Sequence, residues 1–315
     1  MSASAFELRR TAVTVADPEP VEPAATAVIA TVQPAGVERR HPPLAASALT
    51  ILATLLLGFA GYVGGIGHVV HARDQQLAYA ELREQLANAT APTGQLSSTG
   101  SLLALGAPVA LIEAPGLREV VLEGTTAEVL TSGPGHRRDT VLPGQPGTSV
   151  IMGRKAAFGG PFAALDDLRT GETVTVTTGQ GVHRFTVVGV RRAGAPGPLP
   201  LAPGSSRLTL VTATGPTYLP SGVVRVDADL VSAVQPVAPR IPLAMGVAEQ
   251  ALRGDRSALL GVVLWGQALA LAACLVTWLA ARWGSRQAWV VGVPLLGALS
   301  LAVAHSAALL LPNLL

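Results

Sequence analysis

Apolar residues along this chain fall into two patterns. Three long blocks without Asp, Glu, Lys or Arg, Leu44 to Val70, Ser257 to Ala281 and Ala288 to Leu311, each exceed the roughly 20 residues needed to cross a bilayer core. Between the first two blocks the pattern changes to short alternating or β-branched runs broken by Gly and Pro. These are Val109 to Ile112, Val120 to Leu122, Thr148 to Met152, Thr173 to Thr178, His183 to Val190, Leu208 to Thr212 and Val223 to Leu230. Strands of that length and spacing predict a small closed barrel or sandwich, and residues 101–233 are numerous enough for a core of their own. Phe162 to Leu168 has helical spacing between two of the runs. The fold class expected is mainly β, with three transmembrane α-helices at 44–70, 257–281 and 288–311.

Residues 1–43 are Ala, Pro, Val and Glu without sustained periodicity and read as a disordered cytoplasmic tail. Residues 71–100 read as a stalk helix and linker. Tyr79, Leu82 and Leu86 recur on one helical face, and Asn88 to Gly100 is small and polar, the composition of a flexible linker. Residues 234–256 form a juxtamembrane linker in which Met245 to Leu252 reads as a short helix. Arg39 and Arg40 precede the first span, and Arg282 and Arg286 lie in the turn between the last two, with Trp278, Trp283 and Trp289 around it. A basic turn with interfacial tryptophans suits a cytoplasmic hairpin. The expected topology is therefore multi-pass, with the N-terminus cytoplasmic and the β domain and Pro312 to Leu315 outside. The first block is too long, and begins too far into the chain, for the apolar region of a cleavable signal peptide.

Composition agrees with a membrane protein: of 315 residues, 49% are hydrophobic and 13% charged. A net charge of +2, with no basic run interleaved with aromatics, gives no reason to expect nucleic acid as a partner. Lys155 is the only lysine; this arginine bias, with abundant Ala, Gly and Pro, reflects a G+C-rich genome rather than a function. The only cysteine, Cys274, lies within the second apolar block, where a thiol cannot serve a water-facing site. No His/Cys/Asp/Glu cluster suits a transition metal, carboxylates are too few for a calcium loop, and no cofactor is expected.

One ordered series of motifs carries a resemblance. It runs Gly106-Ala107-Pro108-Val109-Ala110, Glu123-Gly124-Thr125, Gly133-Pro134-Gly135-His136, Leu142-Pro143-Gly144-Gln145-Pro146-Gly147, Phe158-Gly159-Gly160-Pro161-Phe162 with Leu165 and Leu168, and Thr209-Leu210-Val211-Thr212. Together these resemble the sortase family, in particular the class E-like sortases of Gram-positive actinobacteria, over roughly Ser101 to Leu230. The resemblance implies a sortase-like barrel and cysteine transpeptidase chemistry. In that family a thiolate cuts a sorting signal between Thr and Gly, a histidine carries protons, an arginine steadies the substrate or oxyanion, and an amine resolves the acyl-enzyme. The chemistry needs a polarisable nucleophile, a proton carrier and a fixed positive donor around one carbonyl.

In this chain the position of the family's cysteine falls on Ala213, that of its histidine on Arg154, and that of its arginine on Val223. Arg225, two residues on, shares a strand face with Val223. An alanine carries no nucleophile, and arginine stays protonated near neutral pH. Thr212 and Thr214 flank the vacancy with hydroxyls, yet in a strand they point away from the face of Ala213. His136 remains as an imidazole suited to a loop or packing role, and His183 to a solvated or cross-strand role. Asp166 and Asp167 read as a solvated face, and Ala193 to Ser206 as a stiff wall or a structural connector.

Two readings of the basic residues stay open: ordinary surface arginines, or a cationic groove for a carboxylate or acidic peptide, with Arg154, Lys155, Thr212, Arg225 and His136 as candidate binding residues. The leading function is a cell-envelope protein that binds or scaffolds a peptide or protein without transpeptidase activity. The alternatives are an active class E-like sortase using a non-standard site and a membrane signalling or accessory subunit. In the first span Gly61 and Gly65 have the spacing of a helix-packing pair. His305, Gln267 and Ser300 are the polar groups of the spans, and a packing hydrogen bond is the expected role for His305.

Overall fold

The computed structural model describes residue 53 and residues 55–315, apart from 98 and 217. The expected tail at 1–43 and the start of the first span lie outside the described residues. Helix α1 runs Leu55–Ala87 and is the first of three helices long and apolar enough to cross a membrane. A π-helical turn at Tyr62–Ile66 interrupts it. The others are α3, Ala258–Trp283, and α4, Ser285–Ala308. Between them lie eight strands: β1 Pro108–Ala114, β2 Leu117–Glu123, β3 Gly135–His136, β4 Gly147–Met152, β5 Thr173–Thr178, β6 Gly181–Arg191, β7 Ser206–Thr214 and β8 Gly222–Leu230. They close into a barrel in the order β1-β2-β3-β4-β7-β8-β6-β5. The expected class, a closed barrel with three apolar helices, is what the chain forms.

The barrel closes because period-two alternation supplies one apolar face per strand. Val109, Ile112, Ile151, Val174, Val176, Phe185, Leu208, Leu210, Val226 and Ala228 fill the interior. Strand β7 is covered on both faces: Val211 and Ala213 belong to a different apolar cluster, and that second face builds the candidate site.

Several expectations are corrected. Span and stalk are one continuous helix rather than two elements. Gln75 fixes α1 to β2: its amide donates to the carbonyls of Val120 and Ser132 and accepts from the Val120 N–H at 2.7 Å. Residues 88–100 do not hang free. Gln95 is buried, donates to the Arg138 carbonyl and accepts from the Ile241 N–H, so polar composition here marks hydrogen bonding to the barrel. Residues 245–252 contain only a 3-10 turn, Val247–Glu249, and Phe162 to Leu168 a 3-10 turn at Ala163–Asp167. Asp166 is not a solvated face, because it accepts from Lys155 Nζ at 2.7 Å. A short helix α2, Ala127–Ser132, was not foreseen; Thr126 caps it, accepting from the Val129 N–H.

His183 is fully buried rather than solvated. It bonds Thr178 Oγ1 at 3.0 Å within β5–β6 and stacks under Gly144, where a Cβ would lie 2.4 Å from the ring. Gly144 has φ of 95°, so glycine is required there on both counts. Burial pushes the imidazole below its ordinary value of 6.5. A base whose folded pKa is depressed is less protonated in the native state, so stability rises with pH through that window and is lost on acidification. The expected outcome is a barrel that loses stability as pH falls below 6.5, with a shallower loss in His183→Gln, measured as thermal unfolding of the full chain in detergent across a pH series.

Candidate functional site

The outward face of β7 and β8 forms one floor. Ala213 pairs with Val223 and Val211 with Arg225, so all four share a face, as the strand spacing of Val223 and Arg225 predicts. Ala213 is buried in a cluster with Leu130 of α2, Met152 of β4, Val211 and Leu314; Val150, Val223 and Ala251 pack against it. Side chains of this kind offer neither a nucleophile nor a proton carrier. Arg225 is exposed at the edge of this floor.

Arg154 does not face the floor as a free cation, which corrects the cationic-groove reading. It is fully buried, with Nε donating to the Leu130 carbonyl at 3.0 Å and Nη2 to the Ala127 carbonyl at 3.1 Å. Its guanidinium lies 5.1 Å from the centre of the Phe158 ring, a favourable cation–π arrangement. Phe158 takes a left-handed φ of 52°, uncommon for a bulky residue, and its ring also meets Tyr62 of α1 edge-on. Desolvation lowers the guanidinium pKa to about 10; the group remains cationic at neutral pH and is no base there.

The other candidates are likewise engaged. Lys155 Nζ bonds Asp166 and the Gly215 carbonyl, so its charge is compensated. Thr212 is buried and donates to the Gly153 carbonyl at 2.8 Å, away from the Ala213 face. His136 is buried between Glu123, at 2.8 Å, and the Val141 carbonyl, at 2.9 Å, so it packs inside the barrel wall. Thus Ala213, Val223 and Arg225 come together, whereas Arg154, Lys155, Thr212 and His136 are withdrawn as groove ligands.

Further along the same floor the polar residues pair with one another. Arg207 grips Asp229 through two nitrogens at 2.5 and 2.9 Å. Buried Asp227 accepts from Thr209 Oγ1 at 2.7 Å and from Arg191. Residues 196–199 of the segment 193–206 border a cavity of about 300 Å³ that Arg191, Arg207, Asp227 and Asp229 also line.

Sequence reasoning missed the residues that fill the site. Asn313, Leu314 and Leu315 are all buried: Leu314 enters the cleft between α2, β4 and β7, Asn313 is held by the carbonyls of Thr125, Ala248 and Gln250 beside it, and Leu315 by the loop after β4. The only local signal is Pro312, which stops helix α4 from continuing; nothing in the sequence says where the chain goes next.

Fold and site define a closed eight-stranded barrel with a cleft at the ends of β4 and β7, carried on three apolar helices. Residues 111–228, from within β1 to within β8, match the family model described as the sortase domain. Among solved structures, sortase E from Streptomyces avermitilis is 28% identical, covering 41% of this chain and 91% of its own at a TM-score of 0.35. Sortase C-1 from Actinomyces oris is 28% identical over 40% of this chain and 75% of its own, TM-score 0.36. A Clostridium perfringens sortase D5 transpeptidase is 21% identical over 51% and 99%, TM-score 0.42. No curated protein matches the chain. Residues 111–228 are thus similar to the sortase domain, and the barrel is joined to helices long and apolar enough to span a membrane.

Proposed function

We infer that this is a multi-pass protein of the cell envelope, of class E-like actinobacterial type, whose sortase-like barrel has lost cysteine transpeptidation and holds a peptide or protein instead. The observation that carries this reading is Ala213: the position matching the family's nucleophile is a methyl group inside an apolar cluster. The second support is Arg154, sealed at the position matching the family's proton carrier. Loss of nucleophile and base together leaves no route to a thioester. The barrel faces the outside of the cell and the N-terminus the cytoplasm, with the basic turn between α3 and α4 on the inner side.

Helix α1 supplies a second surface. Near its apolar end it meets α4 through the Tyr62 hydroxyl and His305 Nδ1 at 2.9 Å, the packing role expected of that histidine. Gly61 and Gly65 meet nothing within 4 Å among the described residues, and this open small-residue face suits another membrane helix.

The test uses the full chain in detergent, mixed with sorting-signal peptides and an amine nucleophile, with products read by mass spectrometry. The expected result is no cleaved or amine-joined product. Amine adducts above the background without protein would overturn the non-catalytic reading.

A further inference from the structure

The cleft of this barrel is filled, and what fills it shows what it recognises. Asn313 Nδ2 donates to the carbonyls of Ala248 at 2.7 Å and Gln250 at 2.9 Å, with the Thr125 carbonyl at 3.3 Å. Three acceptors converge on one nitrogen, so the pocket selects a donor and rejects an acceptor. Leu314 is fully buried in the cluster of Leu130, Met152, Val211 and Ala213. The backbone is read as well: the Lys155 N–H donates to the Leu314 carbonyl at 3.1 Å, the Ala157 N–H to the Leu315 carbonyl at 3.2 Å, and the Asn313 N–H to the Arg253 carbonyl at 3.0 Å. These contacts come from α2, the loop after β4, β7 and the segment before α3, which no local feature of residues 313–315 would bring together.

We propose that this cleft is a binding site for a neutral, extended peptide with an amide side chain followed by leucine, and that residues 313–315 are its intramolecular ligand. The inference rests on the reading of the cleft as a binding rather than a catalytic site, and it names the ligand chemistry. An acidic side chain at the leucine position is disfavoured, because Arg154 is turned inward and the side chains around Leu314 are apolar. Because residues 313–315 follow directly on α4, occupancy ties the helical hairpin to the barrel, and a partner segment of the same chemistry must displace the tethered one. A tethered ligand acts at an effective concentration of about millimolar, so the intact chain binds an external peptide weakly.

The probe is a fluorescent, N-acetylated and C-amidated Leu-Pro-Asn-Leu-Leu peptide, titrated onto the full chain in detergent. A variant carrying Asn313→Gly, Leu314→Ser and Leu315→Gly is expected to bind it saturably, at least tenfold more tightly than the native chain does. Placing Asp in the peptide at the Asn position sets a carboxylate against three carbonyls, and is expected to weaken binding at least tenfold. A variant that unfolds like the native barrel yet binds neither peptide, or binds both equally, overturns the proposal. Should the variant not fold, hydrogen exchange on the native chain decides: the amides of Lys155 and Ala157 are expected to be protected together with residues 313–315, and exchange at the rate of an unstructured amide overturns it. Turnover of sorting-signal peptides is a separate readout, so failure of the non-catalytic reading is distinguished from failure of this one.

Discussion

Arg154→Ala is expected to lower the stability of the barrel by about 3–5 kcal/mol, from the cavity it opens and the acceptors it orphans. Arg154 is the largest of the fully buried side chains. Its removal takes donors from the carbonyls of Ala127 and Leu130 and the cation from the face of Phe158. Opposing this, the charge itself is costly to bury, as its lowered pKa and the unpartnered Nη1 show. Arg154→Met separates the two terms: it restores most of the volume without the charge, and exchange of a buried ion for an apolar side chain is often close to neutral. The methionine variant is therefore expected within about 1.5 kcal/mol of the native chain, and the alanine variant to melt about 10 °C or more lower. Thermal unfolding of full-length variants in detergent, followed by far-ultraviolet circular dichroism, checks both. Equal stability of the alanine and native chains would mean that the guanidinium does not join α2 to β4.

Ala213→Cys is expected to create a shielded thiol rather than an enzyme. In a Cys274→Ala background the new cysteine is the only thiol, and it sits beneath Leu314 in an apolar cluster. Reaction with a maleimide must then await local opening. An opening free energy near 3 kcal/mol slows labelling roughly 100-fold relative to a cysteine placed at exposed Ala195. Combining Ala213→Cys with the Asn313→Gly, Leu314→Ser, Leu315→Gly changes is expected to recover most of that factor. Neither variant is expected to transfer sorting peptides to an amine, since Arg154 accepts no proton and the His136 ring is held inside the wall by Glu123 and Val141. Rapid labelling of the single Ala213→Cys chain would mean that the cleft is open in solution.

Much of the barrel was legible because each strand carries its own alternation, and the runs around Val174, Phe185, Leu208 and Val226 needed no partner to be recognised. The elements that escaped were short. Strand β3 has two residues, Gly135 and His136, too few for a period, and α2 shows only Thr126 as a start signal. At the site, strand periodicity alone put Val223 and Arg225 on one face, and the pairing of β7 with β8 brings Val211 and Ala213 to that same face. Matching residue types to a family pattern said nothing of whether Arg154 turns toward the floor or into the protein, because that depends on carbonyls contributed by α2, 24 and 27 residues away.

The sequence alone thus determined every barrel strand but β3, the apolar helices and the absence of a thiol from the β domain, all properties of local composition and period. Tertiary structure decided the rest: that residues 88–100 bind the barrel, that Arg154, Lys155, Thr212 and His136 are engaged elsewhere, and that Asn313 and Leu314 fill the cleft. Each of those outcomes depends on hydrogen-bond acceptors and apolar surfaces from segments distant in sequence, and no periodicity within a segment encodes what another segment will offer it.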